Sequence, residues 1–223
     1  IATCVSIVLN YSIRYEAIPH NPMALVKKVK TKPRKVMWQP DQVKLFLDTA
    51  YSDFKWRSIG LIFHMAYELA QRVGDMRKLT WKSIDFDNKR MNLEQSKRGA
   101  EVHLPISESL LKMLVQQKKD FDFQEYVAPR TSPKNNSYSH YTLNEISKLI
   151  NEVKDEANLP QELQVRDLRR TAITEMVEAG VDLVGIMQVS GHQSVQSVKP
   201  YLVNTYSGAS TALERRFNND NKH

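Results

Sequence analysis

Only once along this chain does the spacing of apolar residues give up a helical period for strict alternation. Arg90-Met91-Asn92-Leu93-Glu94 and Glu101-Val102-His103-Leu104-Pro105 alternate polar and apolar residues, which sends every second side chain to one face of an extended strand. Ser96-Lys97-Arg98-Gly99 lies between them, with a glycine where a hairpin turn needs one. A lone hairpin is marginal in water, so it must lean on other elements. Those on offer are helical. Val43, Leu45, Phe46 and Leu47 make a stripe behind Pro40, and Ile59, Leu61, Ile62, Met65 and Ala66 make another over about Trp56 to Leu69. Further helices are expected over residues 107–118, Thr142 to Ala157, Leu163 to Ala179, Leu183 to Val189 and Ser210 to Phe217. The expected class is mainly α with a small antiparallel β-sheet (α+β).

The start of the chain is different in kind. Val5, Ile7, Val8, Leu9, Ile13 and Ala17 suit one amphipathic helix ending before Pro19-His20-Asn21-Pro22. Because the chain opens on Ile1 inside that pattern, a preceding segment is expected. Lys27, Lys28, Lys30, Lys32, Arg34 and Lys35 then place six positive charges in nine residues with no apolar period, as in an extended linker. This divides the chain into a helical stretch at 1–25, a basic linker at 26–37, a main domain at 38–217 and a polar tail at 218–223. With 32 Lys and Arg against 25 Asp and Glu, the net charge of +7 favours a polyanionic partner, either nucleic acid or an anionic membrane surface. No apolar run approaches the roughly 18 to 20 residues a membrane span needs. A single cysteine, Cys4, leaves no disulfide framework and no cysteine-rich zinc site, and the histidines lack metal-ligand spacing. A soluble, cytoplasmic protein without a metal is expected.

Chemistry concentrates late in the chain. Val165-Arg166-Asp167-Leu168-Arg169-Arg170-Thr171 is followed by Ser190-Gly191-His192 and then Lys199-Pro200-Tyr201. Arg166 and Arg169, three apart on a helix, would share a face and could hold one phosphate between two planar forks. Tyr201 comes nine residues after His192. Gly185 and Gly191 are expected to break the chain between helical segments, so that a turn carries the phenol back to the arginines.

This order resembles the tyrosine recombinase family, the phage-integrase type of DNA strand-exchange enzyme, across roughly residues 40 to 217. The resemblance implies that family's catalytic-domain fold, with residues 1–25 closing a DNA-gripping helical domain. Arg72 and Asp75 match the family's first arginine and its orienting acid, and Leu79-x-Trp81-x-x-Ile84-Asp85 is family-like packing. The hairpin lysine, general acid for the 5′-oxygen, falls on Lys97, with Arg98 the neighbouring alternative. The second box usually reads His-x-x-Arg. Arg169 matches its arginine, but Arg166 stands at the histidine position. Arginine stays protonated near neutrality and cannot serve as a base, so the proton of Tyr201 must leave by another route: Arg72, Arg166 and Arg169 around the phenol would ease its ionisation, and His192 could supply a hydrogen bond or accept the proton. Gly191-His192 matches the family's Gly-His pair, which implies a hydrogen bond from His192 to the scissile phosphate. Its interval to Tyr201 suits the nucleophile, whereas Tyr206 lies five residues too far.

The resemblance also implies double-stranded DNA at specific sites as partner, no cofactor, and four protomers on two duplexes, with the tail as a handle for a neighbour. Phosphate contacts are expected from Lys27, Lys28, Lys30, Lys32, Arg34, Lys35, Arg98 and Arg170. Two other readings share these residues: a type IB topoisomerase-like nicking and closing enzyme, and a noncatalytic DNA-binding regulator of the same fold, to which Arg166 lends weight.

Overall fold

A computed structural model of the chain describes residues 2–26, 34, 36–96, 99–133, 137–201, 209, 210, 213, 214 and 217. Contacts divide the chain into two units, 1–35 and 36–223. In the first, α1 (Ala2–Arg14) ends earlier than its apolar spacing suggests. The N–H groups of Glu16 and Ala17 close back on the carbonyls of Ile13 and Ser12, with Glu16 left-handed at φ 57°. A 3-10 turn, Pro22–Leu25, follows, and the Asn21 amide ties it back to α1 by donating to Ser6 Oγ and Asn10 Oδ1.

The second unit is built around one buried helix. α2 (Pro40–Ser52) starts on proline, whose missing N–H costs nothing at that position. Asp53 then accepts from the Lys55 N–H and starts α3 (Phe54–Glu68) two residues before the apolar stripe suggests. From Ser58 to Ala66 every residue of α3 is buried, so it is a central helix and not one with a single inward stripe. Trp38, Phe46 and Phe63 pack around it, with Phe46 and Phe63 stacked at 4.0 Å and Trp38 set edge-on to both.

After the short α4 (Val73–Met76), the expected hairpin forms as β2 (Arg90–Gln95) and β3 (Ala100–Pro105), joined by a two-residue strand β1 (Ile84–Asp85) that the alternation did not mark. The antiparallel order is β1-β2-β3, with Met91 opposite Leu104 and Gln95 opposite Ala100. The turn closes through Gly99 at φ 62°. α5 (Glu108–Phe121) and α6 (Leu143–Glu156) follow.

The stretch expected as one helix from Leu163 divides into a 3-10 turn, Val165–Asp167, and α7 (Leu168–Glu178). The Trp38 indole N–H donates to the Gln164 carbonyl at 3.0 Å, and the Trp38 backbone N–H to Thr171 Oγ1 at 3.0 Å. Both ends of the turn are thereby held from the start of the unit. Gly185 does not break the chain. It lies inside α8 (Leu183–Ser190), its N–H accepted by the capping Asp182 side chain, and the left-handed breaks fall at Gly180 and Gly191. α9 (Val195–Val198) leads directly into a 3-10 turn, Lys199–Tyr201. The described residues between Ser210 and Phe217 are helical. Among the described residues, no helix is long and apolar enough to cross a membrane.

Candidate active site

Three chain reversals meet at one cleft. The first follows α3, where Ala70 adopts φ 51°, a conformation that is strained for a residue with a Cβ. It turns the Ala70 carbonyl toward Arg169 and sets Arg72 at the head of α4. Arg72 Nη1 donates to Gln95 Oε1 at 2.6 Å and lies 3.7 Å from Asp75 Oδ2. The buried Asp75 accepts from the backbone and hydroxyl of Ser96 through its other oxygen. The acid therefore couples Arg72 to the base of the hairpin, and its own charge stays out of water.

The second reversal is the hairpin. Strand alternation puts Met91, Leu93 and Gln95 on the inner face, and Gln95 is fully buried. Besides accepting from Arg72, its amide donates to Gln71 Oε1 at 2.6 Å and to the Ser190 carbonyl at 2.9 Å. Gln71 in turn donates to the Leu69 and Val189 carbonyls. Every polar atom of the Gln95 side chain is used, as burial demands.

The third reversal is the end of α8. Gly191 has φ 67°, and a Cβ there would meet the Gln95 amide at 2.5 to 2.8 Å. Only glycine meets both conditions. The turn leaves the Ser190 carbonyl facing inward and delivers His192, whose Nδ1 lies 2.7 Å from Ser190 Oγ.

Arg169 joins these three parts. It is buried, donating to the Ala70 carbonyl at 3.0 Å and the Ser190 carbonyl at 2.7 Å, with Nη2 3.4 to 3.5 Å from both ring nitrogens of His192. Burial, and then the charge of Arg72, pull its pKa down to about 10, which still leaves it charged at neutral pH. Tyr201 and Asp75 act in the opposite direction. The Tyr201 ring lies 5.6 Å from the His192 ring and 5.3 Å beneath the Arg170 guanidinium.

The structure thus brings Arg72, Asp75, Arg169, His192 and Tyr201 together, with Arg170 against the phenol. Arg166 is exposed on the 3-10 turn and lines, with Arg72 and Arg169, a cleft of about 640 Å³. The two arginines line one cleft but do not share the helix expected of them, Arg166 lying exposed on the 3-10 turn and Arg169 buried in α7 with donors spent on backbone carbonyls. Lys97 and Arg98 lie outside the described residues, as do Lys27, Lys28, Lys30, Lys32 and Lys35 of the linker and the 218–223 tail. Gln71, Gln95 and Ser190 hold the cleft together, and the sequence reading did not single them out. For Gln95 a signal existed, a polar residue in phase with the apolar face of its strand.

Guanidinium groups on one cleft can neutralise the nonbridging oxygens of a phosphodiester, and a phenol beside them can attack it. The fold is that of tyrosine recombinase catalytic domains, mainly helical with one three-stranded antiparallel sheet. Residues 37–207 match the phage integrase family, and the chain belongs to it. A shufflon-specific DNA recombinase of Escherichia coli is 24% identical over 182 residues, covering 81% of this chain and 44% of the relative, so the chain spans less than half the relative's length. A lambda integrase dimer bound to a COC′ core site has a TM-score of 0.68 at 19% identity, over 90% of this chain and 57% of that one. A lambda integrase tetramer bound to a Holliday junction has a TM-score of 0.69 at 18% identity over the same shares.

Proposed function

We propose that the chain carries the catalytic part of a site-specific DNA recombinase that cleaves and rejoins strands through a 3′-phosphotyrosine. Tyr201 Oη attacks the phosphorus, the bond to the 5′-oxygen breaks, and the linkage energy is kept in the phosphotyrosine for a second 5′-hydroxyl to reverse the step. Arg72 and Arg169 neutralise the charge that builds on the nonbridging oxygens, Asp75 orients Arg72, and Lys97 protonates the leaving 5′-oxygen. The basic linker, Arg98 and Arg170 contact phosphates, and exchange takes four protomers on two duplexes, with the 218–223 tail reaching a neighbour. No cofactor enters this scheme, and the protein works in the cytoplasm.

The observation that carries this reading is the position of Tyr201, its ring 5.6 Å from that of His192 and 5.3 Å from the Arg170 guanidinium. A protein that needed only affinity for phosphate would gain nothing from a phenol there. Covalent trapping on a nicked suicide duplex, followed by peptide mapping, tests it. The adduct is expected on Tyr201, and Tyr201→Phe is expected to bind the duplex and form none. Tight binding without an adduct in the unaltered protein would instead favour a noncatalytic regulator, the reading that Arg166 supports.

A further inference from the structure

The hydroxyl of Ser190 has one proton and two close neighbours. Its Oγ lies 2.6 Å from the Ile186 carbonyl oxygen and 2.7 Å from His192 Nδ1. Two oxygens at that separation need a proton between them, and a carbonyl cannot supply it. The serine proton therefore points at Ile186, and Oγ can only accept from the ring. His192 is held with its proton on Nδ1, so in the neutral imidazole Nε2 is the acceptor. The Tyr201 ring lies 5.6 Å from the His192 ring, so phenol and imidazole are direct neighbours.

We propose that His192 is the base that takes the proton of Tyr201, and that Ser190 is the positioning residue that fixes the ring in the tautomer able to do so. The inference rests on the strand-cleavage reading above and answers the question that Arg166 raises, since an arginine at the usual histidine position cannot accept a proton. In the step, the phenol proton passes to His192 Nε2, the Tyr201 Oη–P bond forms, the P–O5′ bond breaks and the 5′-oxygen takes a proton from Lys97. Reversal returns the proton from Nε2 to the phenol. Arg169, 3.4 to 3.5 Å from both ring nitrogens, opposes a second positive charge on the ring. The incoming phosphate brings negative charge that offsets this opposition.

The test has two arms, both on the full chain. In the first, 15N NMR of histidine-labelled protein should show neutral His192 protonated on Nδ1, and Ser190→Ala should remove that preference. A proton on Nε2 would overturn the proposal. In the second, single-turnover cleavage of the suicide duplex should fall about a hundredfold or more in His192→Asn, within the range for loss of a general base, with duplex binding retained. Adding Arg166→His should then recover at least about tenfold, because a base returns to the cleft. Likewise Ser190→Ala should cost about tenfold alone and little beside Arg166→His. A merely structural role for Ser190 would lower cleavage equally in both backgrounds, which would also overturn the proposal. An unaltered protein that forms no Tyr201 adduct removes both readings, whereas an adduct with no rescue by Arg166→His removes this one alone.

Discussion

Gln95 shows how much one side chain can decide. Its amide accepts from Arg72 and donates to Gln71 and to the Ser190 carbonyl. In this way it connects the first arginine, the hairpin and the turn before His192 without reaching the cleft surface itself. Gln95→Met keeps the length and removes every hydrogen bond, leaving the Gln71 Oε1 and one Arg72 N–H to find other partners. Stranded buried polar groups cost about 1–3 kcal/mol each, so the urea midpoint is expected to fall by a comparable free energy. If Gln95 acts through Arg72, cleavage of a neutral methylphosphonate linkage should suffer less than cleavage of the phosphodiester, because less charge then needs neutralising. Equal losses on the two substrates would make Gln95 a packing residue only. The strand alternation that identified the hairpin already put Gln95 in phase with Met91 and Leu93, so its importance was legible in the sequence. Ser190 was not: a serine before Gly-His carries no periodic signal, and its role comes from a helix end that brings Ile186 and His192 to the same hydroxyl.

Elements whose limits are set by neighbouring residues were readable, and those set from a distance were not. α6 is of the first kind. Thr142 Oγ1 accepts from the Glu145 N–H, the Glu145 carboxylate accepts from the Thr142 N–H and hydroxyl, each at 2.7 Å, and Arg130 adds a third donor to it at 2.6 Å. The break between the Val165–Asp167 turn and α7 is of the second kind, because the Trp38 contacts that hold it come from more than 120 residues earlier. The cap can be tested through pH. The Thr142 backbone hydrogen bond, with further help from the Thr142 hydroxyl and Arg130, lowers the Glu145 pKa to about 2 against some opposition from burial. A carboxylate lowered in the folded state contributes stability above its unfolded value, and that contribution is lost as pH falls through the folded one. The window runs from the usual carboxylate value down to about 2. Because the carboxylate is about one-third exposed, solvent screening holds the ionic part to a fraction of a kcal/mol. Thr142→Ala should cost about 1 kcal/mol near neutral pH and less in acid, read from urea midpoints at the two conditions. A cost that grows on acidification would contradict the cap.

Across the second unit, the packing separates into a large core around α3 and a small cluster of Ala70, Ala172, Ile173, Ile186 and Val198, on which the half-buried Tyr201 rests. Between them lies the polar seam of Gln71, Gln95, Arg169 and Ser190, directional and fully buried apart from the small exposure of Arg169. Hydrogen bonds across such a seam fix geometry, but the cluster beyond it is held by few apolar side chains, so it should open at lower free energy than the main core. Two-segment organisation of this kind suits the role proposed for Tyr201, a nucleophile that must be aligned in one state and released in the next. Val198→Ala makes the idea measurable, since Val198 is fully buried where α9 meets the Tyr201 turn. Truncating it should cost about 2 kcal/mol or less from lost burial and the space left behind. Hydrogen exchange is expected to quicken in α8 and α9, while the α3 amides from Ile59 to Ala66 keep most of their protection. Covalent adduct formation should fall by more than the change in global stability accounts for, because the phenol loses its support before the fold is lost. Equal acceleration of exchange in α3 would show that the two clusters open together, and the separation would then be one of geometry and not of energy.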